Sequence, residues 1–241
     1  CTAINHMADE LSNADAMKNE FISSVSHELR TPLTAIRGWA ETIRTERDPV
    51  IFKKGIRVIT NETERLSQMV EELLDFSRMQ SGHFTLQQSA MDVLAELGEA
   101  ALIYAERAKI EDITMTYEEP EMLPVVYGDK NRIRQVFINI IDNAIKYSDR
   151  GGTVKIVAGT SPEGDIRVTV EDNGCGIRKS DLPKIKTKFY KANHTKKGSG
   201  IGLAVADEII QMHGGTLTLE SEEGKGTKVT ITIPPQKTED K

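Results

Sequence analysis

Three stretches of the chain carry residue types that can do chemistry on a charged, ring-bearing ligand. In Arg134–Ser148 (RQVFINIIDNAIKYS), Asn139, Asn143, Lys146 and Tyr147 follow one another at 4, 3 and 1 residues. On a helix these positions share one face. That face offers two carboxamides, an ammonium and an aromatic ring: oxygen ligands for a hard cation, a phosphate partner and a stacking surface. The second stretch, Asp172-Asn-Gly174-Cys-Gly176, follows the alternating pattern Ile166, Val168, Val170. A carboxylate at a strand end, beside glycines that allow close backbone approach, can accept a hydrogen bond from the exocyclic amine of a base. The third, Gly198-Ser-Gly200-Ile-Gly202-Leu203, opens a helical pattern. There, backbone amides and the helix dipole favour phosphate. Taken singly, each is a common turn or helix start. In this order they point to a nucleotide site.

A fourth stretch is of a different kind. In Ser26-His27-Glu28-Leu29-Arg30-Thr31-Pro32-Leu33, His27 lies two residues past Val25 and two before Leu29. It is off the apolar stripe and faces solvent. A neutral imidazole is a usable nucleophile near neutral pH. Glu28 can accept the proton of the ring nitrogen that does not attack, and Thr31 lies one helical turn on. Pro32 removes a helix amide, so a bend is expected there.

The elements that must position these residues can be read from periodicity. Residues 1–19 are helix-compatible and polar, a connector helix with Ile4, Met7 and Leu11 at helical spacing. From residue 20 to 82 two long patterns face each other. Val25, Leu29, Leu33, Ile36, Ala40 and Ile43 lie on the first. Phe52, Ile56, Ile59, Thr63, Leu66, Val70, Leu73 and Ser77 lie on the second. Their alternating spacings of 4 and 3 give coiled-coil-like packing. Arg47-Asp48-Pro49 breaks the run, with Asp48 as cap and Pro49 at a helix start. Two helices bury one stripe each, so the hairpin is expected to dimerise into a four-helix bundle.

After Ser81-Gly82 the pattern changes. FTLQQSA reads as a strand, 92–109 as a helix, ITMTY and PVVYGD as strands, and 129–147 as the asparagine-bearing helix with Val136, Phe137, Ile140, Ile141 and Ala144 on its apolar side. GGTVKIVAGT and DIRVTVED form a hairpin; 199–213 is a helix; GTLTLESE and TKVTITIP close the sheet. The expected class is α+β, with the hairpin followed by an α/β sandwich over 83–236 and a loose tail at 237–241.

Composition narrows the functional classes. The net charge of −6 does not favour general affinity for nucleic acid or anionic membrane. Two cysteines, Cys1 and Cys175, without framework spacing suit a reducing cytoplasm. No apolar run approaches the roughly 20 residues of a membrane helix. The opening Cys-Thr-Ala suggests a piece of a longer protein tethered to an upstream membrane or sensor region.

The three ligand stretches resemble the N, G1 and G2 boxes of the histidine-kinase, gyrase and heat-shock-chaperone ATPases. The stretch around His27 resembles the H box of sensor histidine kinases. The resemblance spans nearly the whole chain, residues 14–235. It implies a homodimeric kinase that uses ATP and Mg²⁺ to phosphorylate His27. The phosphoryl group would then pass to an aspartate on a response-regulator receiver. It assigns Asn139 and Asn143 to Mg²⁺, Lys146 to phosphate, Tyr147 to stacking near the base, Asp172 to the adenine amine, and Gly174 and Gly176 to close approach of the base. Gly198, Gly200, Gly202 and Leu203 belong to the phosphate end. Glu28 would assist phosphotransfer, and Thr31 a water-mediated phosphatase reaction on the regulator.

Residues 178–197 hold Arg178 and seven lysines against Asp181 alone, which reads as a mobile basic lid attracted to triphosphate. Phe189 resembles the family's F-box aromatic. Lys186-Thr187 departs from the usual apolar–acidic pair before it, which leaves the docking of that segment open. His6, His83, His194 and His213 have no partners at metal-ligand spacing. Trp39 is an edge-packing residue or a docking residue, and Cys175 a small filler. Two other readings remain at this level: a nucleotide-binding scaffold without catalysis, and an ATP hydrolase of the wider superfamily. The latter usually carries a glutamate four residues before the magnesium asparagine, where this chain has Asn139.

Overall fold

A computed structural model of the chain describes residues 2–187, Tyr190, Ala192 and residues 200–235. The described residues fall into two compact units, 2–82 with 200–201, and 83–187 with 190, 192 and 202–235.

The first unit is a helical hairpin. Helix α1, Thr2–Thr45, is continuous, so the expected connector and the first hairpin arm are one helix with Pro32 inside it. Helix α2 spans Pro49–Gln80. The turn between them has a local chemical cause. Asp48 accepts from the Val50 amide at 2.8 Å, Pro49 starts the helix, and the Glu46 carboxylate accepts from the Arg47 and Asp48 amides. Near this turn Gly55 lies against Trp39 and Ile43, where a Cβ would run into the Ile43 side chain. Trp39 is therefore half-buried against α2, with the Lys54 ammonium 5.8 Å from its ring centroid. The apolar stripes are only partly covered: Leu33, Phe52, Val70 and Leu74 are all about half exposed.

The second unit is a two-layer α/β sandwich. Its elements are β1 (Ser89–Met91), α3 (Val93–Ile110), β2 (Thr114–Glu118), β3 (Val126–Gly128), α4 (Lys130–Tyr147), β4 (Thr153–Thr160), β5 (Ile166–Asp172), α5 (Gly202–Met212), β6 (Thr216–Glu222) and β7 (Gly226–Ile233). Five strands form a mixed sheet in the order β2-β4-β5-β7-β6, parallel only between β2 and β4. The alternating burial of β5 leaves one face dry: Ile166, Val168 and Val170 are buried with Val154 and Ile156 of β4 and Ile231 of β7. Against that face pack Phe137, Ile140, Ile141 and Ile145 of α4, Leu97 of α3 and Ile209 of α5. The apolar side of α4 read from the sequence is buried throughout; removing a side chain such as Phe137 from water stabilises by about 1.5–3 kcal/mol.

One expected strand is shorter than its sequence suggested. FTLQQSA yields only β1, which pairs with the three residues of β3 as a separate ribbon. The Gln87 amide is taken by the Asp129 carboxylate at 2.8 Å, outside any ladder.

Asp129 is also the cap of α4, accepting from the Asn131 and Arg132 amides. Its own amide donates to Nε2 of His213 at 2.9 Å, while Nδ1 of that ring donates to the Ile209 carbonyl at 2.7 Å. His213 is 2% exposed and thus fastens the end of α5 to the start of α4. Replacing it by Leu strands a buried amide and a buried carbonyl, at about 1–3 kcal/mol each. Urea denaturation of His213→Leu should show that loss, whereas a change below about 0.5 kcal/mol would mean the two bonds do not hold the helices.

Candidate functional site

The phospho-acceptor candidate lies on α1. His27 is exposed, as its place off the stripe requires. The Thr31 hydroxyl donates to the His27 carbonyl at 3.2 Å, which keeps that hydroxyl on the face of the imidazole's own turn. Glu28 turns inward and is half-buried; its carboxylate accepts from Arg65 of α2 at 3.2 Å. Arg65 is a residue that sequence reasoning missed, because the pairing crosses the hairpin and no spacing along one helix reveals it.

In the second unit α4 presents the amide line. Asn139 is 8% exposed, and its Nδ2 donates to the Gly202 carbonyl at 3.2 Å. A carbonyl only accepts, so the amide nitrogen faces Gly202 and Oδ1 takes no part in that bond. Asn143, Lys146 and Tyr147 are half-buried along the same face, with the Lys146 ammonium 5.1 Å from the Tyr147 ring centroid. Among the described residues no cluster of three His, Cys, Asp or Glu side chains could cage a metal. Two carboxamide oxygens one turn apart suit Mg²⁺, which takes few protein ligands and keeps waters or phosphate oxygens.

The Asp172 turn is locked onto the end of that helix. The Cys175 amide donates to the Tyr147 carbonyl at 3.1 Å, and a Cβ on Gly174 would strike the same carbonyl. Gly176, at φ +64°, lies against the Glu222 carbonyl. Both glycines are thus required by the packing of the turn itself. Asp172 is buried; its Oδ1 accepts from the Gly174 amide at 2.9 Å and the Thr227 amide at 3.2 Å, and Oδ2 takes part in neither bond. Burial raises its pKa above the ordinary carboxylate value, opposed by those two amides and reinforced by Glu171.

Thr227 and Ser221 are further residues the sequence reading missed. Ser221 Oγ accepts from the Ile177 amide at 2.8 Å and lies 2.9 Å from the Thr227 hydroxyl, binding the turn to the β6–β7 hairpin. The Gly224-Lys-Gly226-Thr227 turn was the available signal. Gly200 adopts φ +72°, Gly202 begins α5 and Leu203 is half-buried beside it. Phe189, Gly198 and His194 lie outside the described residues, as does the later part of the expected lid apart from Tyr190 and Ala192.

This geometry accords with known proteins. Residues 17–82 match the family model of the His Kinase A (phospho-acceptor) domain, and residues 128–237 that of the histidine kinase-, DNA gyrase B-, and HSP90-like ATPases. The chain belongs to the sensor histidine kinases. It is 34% identical to the sensor histidine kinase WalK of Bacillus subtilis over 239 residues, 96% of this chain and 39% of that protein. Thus it spans about two fifths of the length of the curated relatives it matches. Among solved structures, the Acinetobacter baumannii histidine kinase AdeS is 29% identical with a TM-score of 0.65, over 88% of this chain and 98% of that one. The histidine kinase ThkA, solved in complex with the response regulator protein TrrA, is 27% identical with a TM-score of 0.67, over 93% and 64%.

The buried carboxylate gives a prediction with a definite sign. With its folded pKa raised, ionised Asp172 costs stability above that pKa, and the cost fades as pH falls toward the unfolded value. Asp172→Asn should therefore melt no lower than wild type at pH 7. The same variant should lose about ten- to a hundredfold in adenine-nucleotide affinity, the worth of a hydrogen bond to a charged group. Wild-type affinity should fall as pH drops through the raised pKa. Calorimetric titration from neutral pH downward through the acidic range checks both; affinity equal in Asp172→Asn and wild type would remove the carboxylate from base recognition.

Proposed function

We propose that this chain is the transmitter part of a sensor histidine kinase that phosphorylates its own His27 from Mg-ATP and hands the phosphoryl group to an aspartate of a response-regulator receiver. The observation that carries the reading is that one chain holds both an exposed imidazole in an H-box helix and an amide-lined α4 tied to the Asp172 turn. No observation favours the non-catalytic scaffold, and the acceptor hairpin sets the chain apart from hydrolases of the superfamily.

The chemistry follows from the residues. Asp172 takes the amine of adenine and Tyr147 flanks the ring. Lys146 faces phosphate, and Asn139 and Asn143 hold Mg²⁺, which supplies charge neutralisation at the phosphates. The neutral His27 ring attacks the γ-phosphorus with one nitrogen while the bond to the leaving ADP oxygen breaks. Glu28 accepts the proton of the other nitrogen, so it must loosen from Arg65. Positioning and charge neutralisation supply most of the barrier lowering in such transfers. Thr31 supports the reverse service, orienting water against a regulator's phospho-aspartate.

A homodimer belongs to the same proposal. Leu33, Phe52, Val70 and Leu74 leave one hairpin with an uncovered apolar stripe, which a second copy would close as a four-helix bundle. No described helix is long and apolar enough to cross a membrane. Relatives more than twice as long leave room for an upstream sensor, and the expected cytoplasmic location and membrane tether rest on that.

The decisive assay incubates the protein with γ-labelled ATP and Mg²⁺. Label should appear in wild type, be absent in His27→Gln, and chase to a receiver aspartate when a regulator is added. Label on another residue would overturn the reading. Thr31→Ala should keep autophosphorylation and lose regulator dephosphorylation; unchanged dephosphorylation removes the phosphatase role. Sedimentation of Leu33→Glu should show monomer, and a persisting dimer would place the interface elsewhere.

A further inference from the structure

Lys186 stands where the sequence departs from the family pattern, and the structure gives it a defined employment. Its ammonium donates to Oδ1 of Asp207 at 2.8 Å and to the Leu217 carbonyl. The other Asp207 oxygen accepts from Gln211 at 2.9 Å. The side chains of Lys186 and Asp207 are 34% and 15% exposed, so the pair sits largely out of water. One side chain thus joins three elements: the segment after Leu182–Lys184, helix α5 and strand β6.

The segment that bears Lys186 is also tied within itself. Asp181 accepts from the Tyr190 hydroxyl and from Arg178 Nε, each at 2.8 Å. From Asp207 the line of contact continues along α5 to Gly202, whose carbonyl holds the Asn139 amide. His213 ties the far end of α5 to the start of α4, and along its length the helix is held by Ala204, Val205, Ala206, Ile209 and Ile210, all buried. Apolar burial is non-directional: it sets the depth of a helix against a sheet better than its rotation or axial position. A charge-assisted bond to a helix carboxylate, combined with a bond to a strand carbonyl, is directional and fixes both.

We propose that Lys186 is a positioning residue of the nucleotide site. Its bridge to Asp207 and Leu217 holds α5 in the rotation and axial register that set Gly202, and through it Asn139, for the Mg-nucleotide. The inference rests on the reading that this unit binds Mg-ATP, and goes beyond it in assigning a residue that touches no ligand.

The test measures the dissociation constant for Mg-ADP by calorimetry, the KM and kcat for ATP in autophosphorylation, and the melting temperature. The proteins are wild type, Lys186→Met, Lys186→Arg and Asp207→Asn. Lys186→Met and Asp207→Asn should raise both the dissociation constant and KM by about five- to twentyfold, with kcat at saturating ATP within about twofold of wild type. Lys186→Arg, which keeps a cation and several donors, should recover most of the affinity. Unchanged Mg-ADP affinity in Lys186→Met with a lowered melting temperature would overturn the proposal in favour of a purely structural tie. Should that variant fail to fold, Asp207→Asn carries the same expectation and the same refutation. If wild type binds Mg-ADP but does not label itself, the kinase reading falls while the Lys186 comparison still decides this inference.

Discussion

A helix with one apolar side and one line of amides can present that line to a ligand only if it is held against rotation. That constraint governs the second unit. The apolar side of α4 is sealed onto the sheet by Phe137, Ile140, Ile141 and Ile145, but oily contact leaves small turns about the axis cheap. The rotation is fixed by polar ties at three levels: Asp129 and His213 at its start, Asn139 to Gly202 in its middle, and the Tyr147 carbonyl to Cys175 at its end. The last two ties are also the links to the other ligand-facing turns. Holding the helix and assembling the site are therefore accomplished by the same bonds.

The acceptor helix solves the opposite problem. A nucleophile that must meet a phosphorus carried elsewhere has to stay accessible, and His27 is exposed. Its neighbours are not. Thr31 is turned back onto the His27 carbonyl, and Glu28 is drawn to Arg65 on the facing helix. A partly buried carboxylate is costly to hold without a charge or donor beside it. Arg65 lowers that cost while competing for the same oxygens.

Much of this was legible in the sequence because the relevant patterns are local. The cap at Asp48, the periodic apolar faces and the alternating strands follow from residues close in the chain, and apart from the shortened β1 each element appears where its pattern lies. The placement of His27 off the stripe and of Asn139 on the amide line is likewise a consequence of helical phase. What was not legible joins distant positions: Arg65 with Glu28, His213 with Asp129, Thr227 with Asp172, Lys186 with Asp207. None of these partners is within a helical turn of the other, so only the fold reveals them. The sequence also assigned Gly174 and Gly176 to the approach of a base, whereas the carbonyls of Tyr147 and Glu222 already forbid a side chain there.

Asp172 shows how much of this arrangement stability alone would not have retained. A carboxylate buried at the end of β5, with its pKa pushed up by desolvation, is a standing cost to the fold at neutral pH, offset only in part by two amides on one of its oxygens. An asparagine could keep those same amide bonds through its own oxygen without the charge. The second carboxylate oxygen is the difference, and a donor to it would offset that cost. On the proposed nucleotide reading a base amine is such a donor, and the Cys175 amide on the Tyr147 carbonyl holds the turn that presents the oxygen.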